Sequence, residues 1–154
     1  MEKIKNILDK IISTVCVIIF IAMVLLTTYQ VAVRYILKSP SSISETLTRY
    51  LFVWLIILSA TYVFGQRDHI CITALKDSFS DGVKKIVNIF GECVVILFAV
   101  LIMIYGGSVI TRMNMLQYDS ILNIPTGVIY SVIPVCGVLI IFYSIINIAK
   151  YAKE

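Results

Sequence analysis

The sequence has few charged residues and a single histidine, and these shortages exclude several kinds of protein. Only 14% of the 154 residues are charged, whereas a soluble domain typically has about 25%. His69 is the only histidine, so one chain cannot ligate a haem through two histidines, and a zinc site would need several further ligands. A four-helix cytochrome is therefore excluded.

Apolar runs of membrane length are what the sequence has in abundance. The chain is 60% hydrophobic and its mean hydropathy is +0.98. Crossing the hydrocarbon core takes roughly 20 apolar residues, and four segments qualify. We therefore predict an all-α integral membrane protein that forms a single domain over residues 1–154. The four spans are predicted at about 11–34, 46–66, 86–111 and 125–149.

A fifth, shorter helix is predicted between the second and third spans. Ile72, Leu75, Phe79 and Val83 follow one another at spacings of three and four, with charged residues between them. This pattern is typical of an amphipathic helix on a membrane surface, which we place at about 70–80. A partly ordered loop with scattered apolar residues remains the alternative.

The distribution of lysine and arginine predicts the orientation in the membrane. Nine of the 13 basic residues fall in the N-terminal segment, the loop between spans two and three, and the C-terminal tail, which share one side. Only four fall on the other side. Because basic loops stay cytoplasmic, both termini are predicted to face the cytoplasm. Membrane orientation also explains the net charge of +4, so no nucleic-acid partner is expected.

The four cysteines give no sign of redox chemistry. They form no CxxC pair, and none is predicted in the loops outside the cell membrane, where disulfides persist. An enzyme such as a quinone-linked thiol oxidase needs paired cysteines there. The sequence also has no nucleophile–base pair and no set of metal ligands. We therefore expect no enzyme activity, no metal site and no cofactor in this chain.

Two charged residues stand at the start of the second span, in the run "SISETLTRYLFVW". Ser42 as N-cap and Glu45 three residues on would form a capping box. Arg49, one turn further, can pair with Glu45 and extend towards the headgroups. Tyr50 and Trp54 are aromatic residues suited to the membrane interface. Alternatively, the Glu45–Arg49 pair faces another subunit or a lipid headgroup.

Glu92 is the only acidic residue inside a predicted span. Acidic residues within a membrane are candidates for proton or ion pathways, but the other spans offer it no deeper partner. We expect an ion pair or hydrogen bond with a neighbouring helix residue. The alternative is a self-contained homodimeric four-helix exporter of small molecules that uses Glu92. In the fourth span, Pro125 is placed near the helix start, and Pro125 and Pro134 are both predicted to be structural kinks.

Two stretches resemble the small membrane subunit of TRAP (tripartite ATP-independent periplasmic) transporters. The first is "ISETLTRYLFVWLIILSATYVFGQRDHICITAL", residues 43–75, with an acid, an arginine, an aromatic–Val–Trp stretch and a later Arg-x-His-Ile. The second is "SILNIPTGVIYSVIPVCG", residues 120–137. Two departures occur: the family often has tryptophan before the acid, where this chain has Ile43 or Ser44, and often glycine at Ser59.

The resemblance implies a scaffold subunit of a transporter in the bacterial inner membrane. In that family a larger membrane subunit moves the substrate by an elevator motion coupled to Na⁺, and we expect Na⁺ to bind in that subunit only. A periplasmic binding protein delivers a small organic acid, of the C4-dicarboxylate or sialic acid class. The residues we predict to contact these partners or membrane lipids are Glu45, Arg49, Trp54, Arg67, His69 and Glu92.

Overall fold

The structure, a computed structural model, describes residues 2–36, 38, 41–66 and 81–151, and they form four membrane-length helical spans. Across these ranges there is no strand beyond one isolated bridge. The prediction of an all-α membrane protein with four spans is confirmed. The first span is α1 (Glu2–Ile36) and the second is α2 (Ser42–Gln66). The third span consists of three consecutive helices, α3 (Asp81–Phe98), a π-helix (Ala99–Gly106) and α4 (Gly107–Asn114). The fourth consists of two, α5 (Gly127–Tyr130) and α6 (Val132–Tyr151).

Three predictions fall on residues that the structure does not describe. The surface helix expected at about 70–80 lies outside the described residues, and so do Arg67 and His69. These stay predictions from the sequence alone.

The beginning of α2 differs from the predicted capping box. The backbone N–H of Glu45 donates to the carbonyl of Ser41 at 3.3 Å, which makes Ser41 the N-cap. The Ser44 hydroxyl also donates to that carbonyl, at 3.0 Å. Ser42 is already inside the first turn, so its assignment as N-cap is wrong by one residue. Glu45 remains in the first turn, where its negative charge is favourable at the positive end of the helix.

The fourth span forms the centre of the bundle. It packs against both the second and the third spans, whereas the first span packs mainly against the second. It is also the most buried of the four. Its buried side chains recur every three or four residues and so lie on one face of the helix; they are Ile129, Val132, Cys136, Ile140, Tyr143 and Ile146.

Glycine allows the third and fourth spans to approach closely. A Cβ added at Gly127 would lie 2.5 Å from the Thr111 carbonyl oxygen, and one at Gly137 would lie 2.8 Å from the Cβ of Met103. Met103 belongs to the π-helix, a rare and wider helical form. Small residues at such crossings let backbones pack by van der Waals contact, which is the main source of helix association in lipid.

Most large apolar side chains point away from the bundle. Ile18, Leu25 and Phe90 are each more than 60% exposed. In water such a surface would be unfavourable, but in a membrane it contacts lipid chains or another apolar helix. The outer faces of this bundle are therefore available to lipid or to a membrane partner.

Candidate functional site

Glu45 and Arg49 form an ion pair on the surface of α2. The Arg49 guanidinium lies 3.5 Å from the Glu45 carboxylate, and the two side chains are 69% and 68% exposed. Both belong to the same helix, one turn apart, so the pair does not join different parts of the fold. An exposed pair of this kind contributes little to stability, and its charges remain accessible to a partner.

Tyr50, the next residue, connects α2 to the loop between the third and fourth spans. Its hydroxyl donates a hydrogen bond to the carboxylate of Asp119. The other carboxylate oxygen of Asp119 accepts the backbone N–H groups of Ile121 and Leu122, each at 2.9 Å. The Tyr50 hydrogen bond first, and then the Leu122 and Ile121 bonds, hold the pKa of Asp119 below its ordinary value. These hydrogen bonds fix the loop to the start of α2.

The loop from residue 115 to residue 126 is a folded structure of its own. The N–H of Asp119 donates to the carbonyl of Ile124 at 3.0 Å, and that of Thr126 donates to Gln117 at 2.9 Å. Asn123 adopts a left-handed backbone conformation with φ of 53°, which asparagine tolerates in turns. Pro125 pairs with Tyr118 in the isolated bridge.

Pro125 therefore lies outside any helix. It is two residues before the beginning of α5, and a proline kinks a helix only from inside it. The assignment of Pro125 to a kink is wrong.

Pro134 and Trp54 both lie near a break in the fourth span. The helix is interrupted at Ser131, between α5 and α6, and Pro134 follows three residues later. A proline removes one helical N–H and crowds the carbonyl four residues earlier, here that of Tyr130. The Trp54 indole N–H donates to the carbonyl of Ile129 at 3.1 Å. Trp54 thus uses its polar group within the chain, to join α2 to the last turn of α5.

Glu92 lies apart from the Glu45–Arg49 pair. It is half-buried in the fourth turn of α3, and α3 begins at the end of the bundle where α2 finishes. Glu45 is at the beginning of α2. The structure therefore brings Glu45, Arg49 and Tyr50 together at one end, which we call the Glu45 end, and places Glu92 towards the other.

A buried polar cluster at that other end was not anticipated. The Tyr143 hydroxyl donates to one carboxylate oxygen of Asp9 at 2.5 Å, and the Gln66 amide donates to the other at 3.0 Å. Asp9 is 9% exposed and Tyr143 only 1%. We call this the Asp9 cluster; it joins the first, second and fourth spans.

One signal in the sequence could have identified Asp9. It shares a helical face with Ile12 and Ile19, and all three are buried. The helical spacing of Asp9 from Ile12 and Ile19 therefore indicates that Asp9 lies on the buried face of the first helix.

The groups described above make hydrogen bonds and an ion pair within the chain. In the ranges that the structure describes, no three side chains of the metal-ligating types come together. Cys16, Cys93 and Cys136 are free thiols. The arrangement can hold helices together and can present charges at the Glu45 end.

Comparison with known proteins agrees with this picture. Residues 23–154 match the family model described as tripartite ATP-independent periplasmic transporters, DctQ component. A protein of Haemophilus influenzae named as a TRAP transporter small permease is 26% identical over 140 residues, covering 91% of this chain and 86% of the relative. The sialic acid TRAP transporter small permease protein SiaQ of Vibrio cholerae is 22% identical, covering 99% and 88%.

The family match spans most of the chain, including all three spans that follow the first, and both relatives are aligned over nearly their whole lengths. The chain belongs to the DctQ family, the small membrane subunits of TRAP transporters.

Proposed function

We propose that this chain is the scaffold subunit of a sodium-coupled transporter in the bacterial inner membrane. With a larger elevator-type membrane subunit and a periplasmic binding protein, it takes up a small organic acid of the C4-dicarboxylate or sialic acid class. Na⁺ binds in the large subunit. The family match over residues 23–154 is the observation that supports this most strongly.

The distribution of polar groups is compatible with a scaffold. Transport sites usually lie near the midplane, on broken helices. Two acidic residues make side-chain hydrogen bonds to other helices near the two ends of the bundle: Asp9 at one end, and Asp119, in the loop before the fourth span, at the other. The spans between them expose mainly apolar side chains, a surface suited to packing on a larger membrane protein.

The charged pair at the Glu45 end would face the periplasm if both termini are cytoplasmic. This orientation is part of the proposal and follows from the excess of basic residues on the opposite side. Glu45 and Arg49 are then accessible to the large subunit or to the binding protein. We expect Arg49→Ala to weaken assembly or uptake, because an exposed guanidinium can form paired hydrogen bonds with a partner carboxylate.

Purification of the tagged chain from its native host tests the proposal. The chain would be extracted in mild detergent and its companions identified by mass spectrometry. A stoichiometric partner with many spans is the expected result. Recovery of a homodimer without a partner would contradict the scaffold function.

Glu92→Gln separates this function from a self-contained exporter. An exporter that relies on Glu92 would lose transport in this variant, whereas a scaffold subunit would keep nearly all uptake activity. Uptake of labelled sialic acid and of a labelled C4-dicarboxylate, each with and without Na⁺, measures both outcomes and identifies the substrate class.

A further inference from the structure

A cavity of about 630 Å³ opens between α1 and α2 at the Glu45 end. Pockets that hold small ligands usually measure roughly 300–1,000 Å³, so this one can accept a lipid headgroup. Its walls carry polar and charged groups as well as apolar ones. The lining residues are Gln30, Val31, Arg34, Tyr35, Ser41 and Glu45.

The two walls of this cavity carry opposite charges. Arg34 comes from the last turn of α1 and Glu45 from the first turn of α2. Glu45 is paired with Arg49, outside the cavity lining. Throughout residues 2–36, 38, 41–66 and 81–151, Arg34 makes no ion pair. The cavity therefore offers a cationic donor on one side and a carboxylate on the other.

A second, apolar cavity of about 330 Å³ lies further along the same pair of helices. Val17 of α1 and Ser59 of α2 line it, and each is fourteen residues from a residue of the first cavity, Val31 and Glu45 respectively. Fourteen residues make nearly four turns and about 21 Å, so both cavities open on the same side of the α1–α2 pair. The charged cavity and the apolar cavity therefore follow one another along one face of the α1–α2 pair, and we call this face the α1–α2 groove.

We propose that this groove binds phosphatidylethanolamine. Its phosphate lies against the Arg34 guanidinium, its ammonium group lies against the Glu45 carboxylate, and an acyl chain follows the α1–α2 groove towards the centre of the membrane. Arg recognises phosphate through paired, charge-assisted hydrogen bonds. A zwitterionic headgroup matches both charges of the cavity.

The groove is charged at one end and apolar beyond it, and this arrangement favours a lipid over a peptide segment as the occupant. The charged groups are confined to the end of the helices, and the groove beyond them is lined by apolar side chains such as Phe20, Leu55 and Val63. A phospholipid has the same order of groups along its length. This inference does not depend on the transport function.

Native mass spectrometry of the full chain, with any subunit that purifies with it, tests the proposal. The protein would be incubated with palmitoyl-oleoyl phosphatidylethanolamine or with the corresponding phosphatidylglycerol, and retained lipid counted. We expect preferential retention of phosphatidylethanolamine. Arg34→Gln should weaken retention of both lipids by about tenfold, since one charge-assisted contact to phosphate is lost. Glu45→Gln should remove only the preference, because phosphatidylglycerol has no ammonium group.

Arg112→Gln serves as the matched control. It removes another exposed arginine, one that does not line the cavity, and it should retain phosphatidylethanolamine like the unaltered chain.

Three results would overturn the proposal. The first is an equal loss of retained lipid in Arg34→Gln and Arg112→Gln. The second is an unchanged preference for phosphatidylethanolamine in Glu45→Gln. The third is a complex that retains no lipid, together with release of the accompanying subunit by Arg34→Gln. The last result would make a protein the occupant of the groove.

Discussion

The two ends of the bundle use their charged residues in opposite ways. In the Asp9 cluster, one carboxylate accepts hydrogen bonds from two other spans and is almost completely buried. At the Glu45 end, Glu45 and Arg49 pair within a single helix and both remain exposed. A buried polar contact between helices fixes their packing, whereas an exposed pair within one helix hardly affects it. The first end is built for cohesion and the second is accessible to partners.

The Glu45 end is not without contacts between spans. Tyr50 and Asp119 connect α2 to the loop before the fourth span, and Gln30 of α1 donates to the Thr48 hydroxyl at 2.8 Å. These contacts are less buried than the Asp9 cluster. The comparison therefore predicts a graded response to mutation, strongest at the Asp9 cluster and weakest at Glu45 and Arg49.

Asp9→Ala should have the largest effect on stability. It leaves the buried Tyr143 hydroxyl and the Gln66 amide without their acceptor, and we expect a loss of about 2 kcal/mol in the free energy of unfolding. The loss of helical circular dichroism on heating in detergent measures it. Asp9→Asn keeps one acceptor oxygen and should lose less. Equal melting temperatures for Asp9→Ala and the unaltered chain would mean that the cluster does not hold the spans together.

Gly65→Ala should be the next most destabilising change. A Cβ at this position would lie 2.8 Å from two ring carbons of Tyr143, a side chain that cannot easily move because its hydroxyl is bonded to Asp9. Overpacking of this kind typically costs about 1–3 kcal/mol.

Gly91→Ala is the matched control for Gly65→Ala, since nothing lies within 4 Å of its added Cβ. It should be neutral or slightly stabilising because alanine favours the helix. If both variants melt at the same temperature, the close packing of Tyr143 on α2 is not important for stability.

The sequence allowed the fold to be predicted further than the contacts between helices. Four spans follow from the length of the apolar runs, and the Glu45–Arg49 pair follows from helical spacing, because both features are local. The partners of Asp9 are 57 and 134 residues away in the chain, and those of the Tyr50 hydrogen bond are 69 residues apart. Such pairs depend on which spans are neighbours in the membrane.

The break in the fourth span likewise has one feature that the sequence predicts locally and one that depends on contacts between distant residues. Pro134 marks the region from the sequence alone, since a proline inside an apolar run of this length disturbs the helix near it. That Trp54 donates to the Ile129 carbonyl there could not be predicted, because it requires α2 to lie beside the fourth span. The π-helix likewise has no signal in its apolar sequence, "AVLIMIYG".

Tyr50→Phe should have a smaller effect, and one that depends on pH. We expect a fall of about 1–2 °C in the melting temperature at pH 7. The Tyr50 hydroxyl helps to lower the pKa of Asp119. The stability that this hydrogen bond contributes is therefore complete above the ordinary pKa of an aspartate, and it is lost as the pH falls through the lowered pKa of Asp119. The difference in melting temperature between Tyr50→Phe and the unaltered chain should therefore become smaller at acidic pH.

Trp54 provides the measurement for this end of the bundle. It is the only tryptophan and lies one turn beyond Tyr50, so its fluorescence follows unfolding near the loop. The melting temperatures of Tyr50→Phe and the unaltered chain would be compared from neutral pH to pH values below the pKa of Asp119. A constant difference over this range would contradict the role assigned to the Asp119 carboxylate.

Arg49→Gln should change stability least. The ion pair with Glu45 joins residues of one helix and is exposed on both sides, so its loss should alter the free energy of unfolding by no more than about 0.5 kcal/mol. In the same variant, recovery of the large subunit or the rate of uptake should fall if the exposed guanidinium contacts a partner. Melting and co-purification, measured side by side, separate the two effects. A large drop in melting temperature would show that the Glu45 end, like the Asp9 cluster, relies on its charges for cohesion, and the contrast between the two ends would be lost.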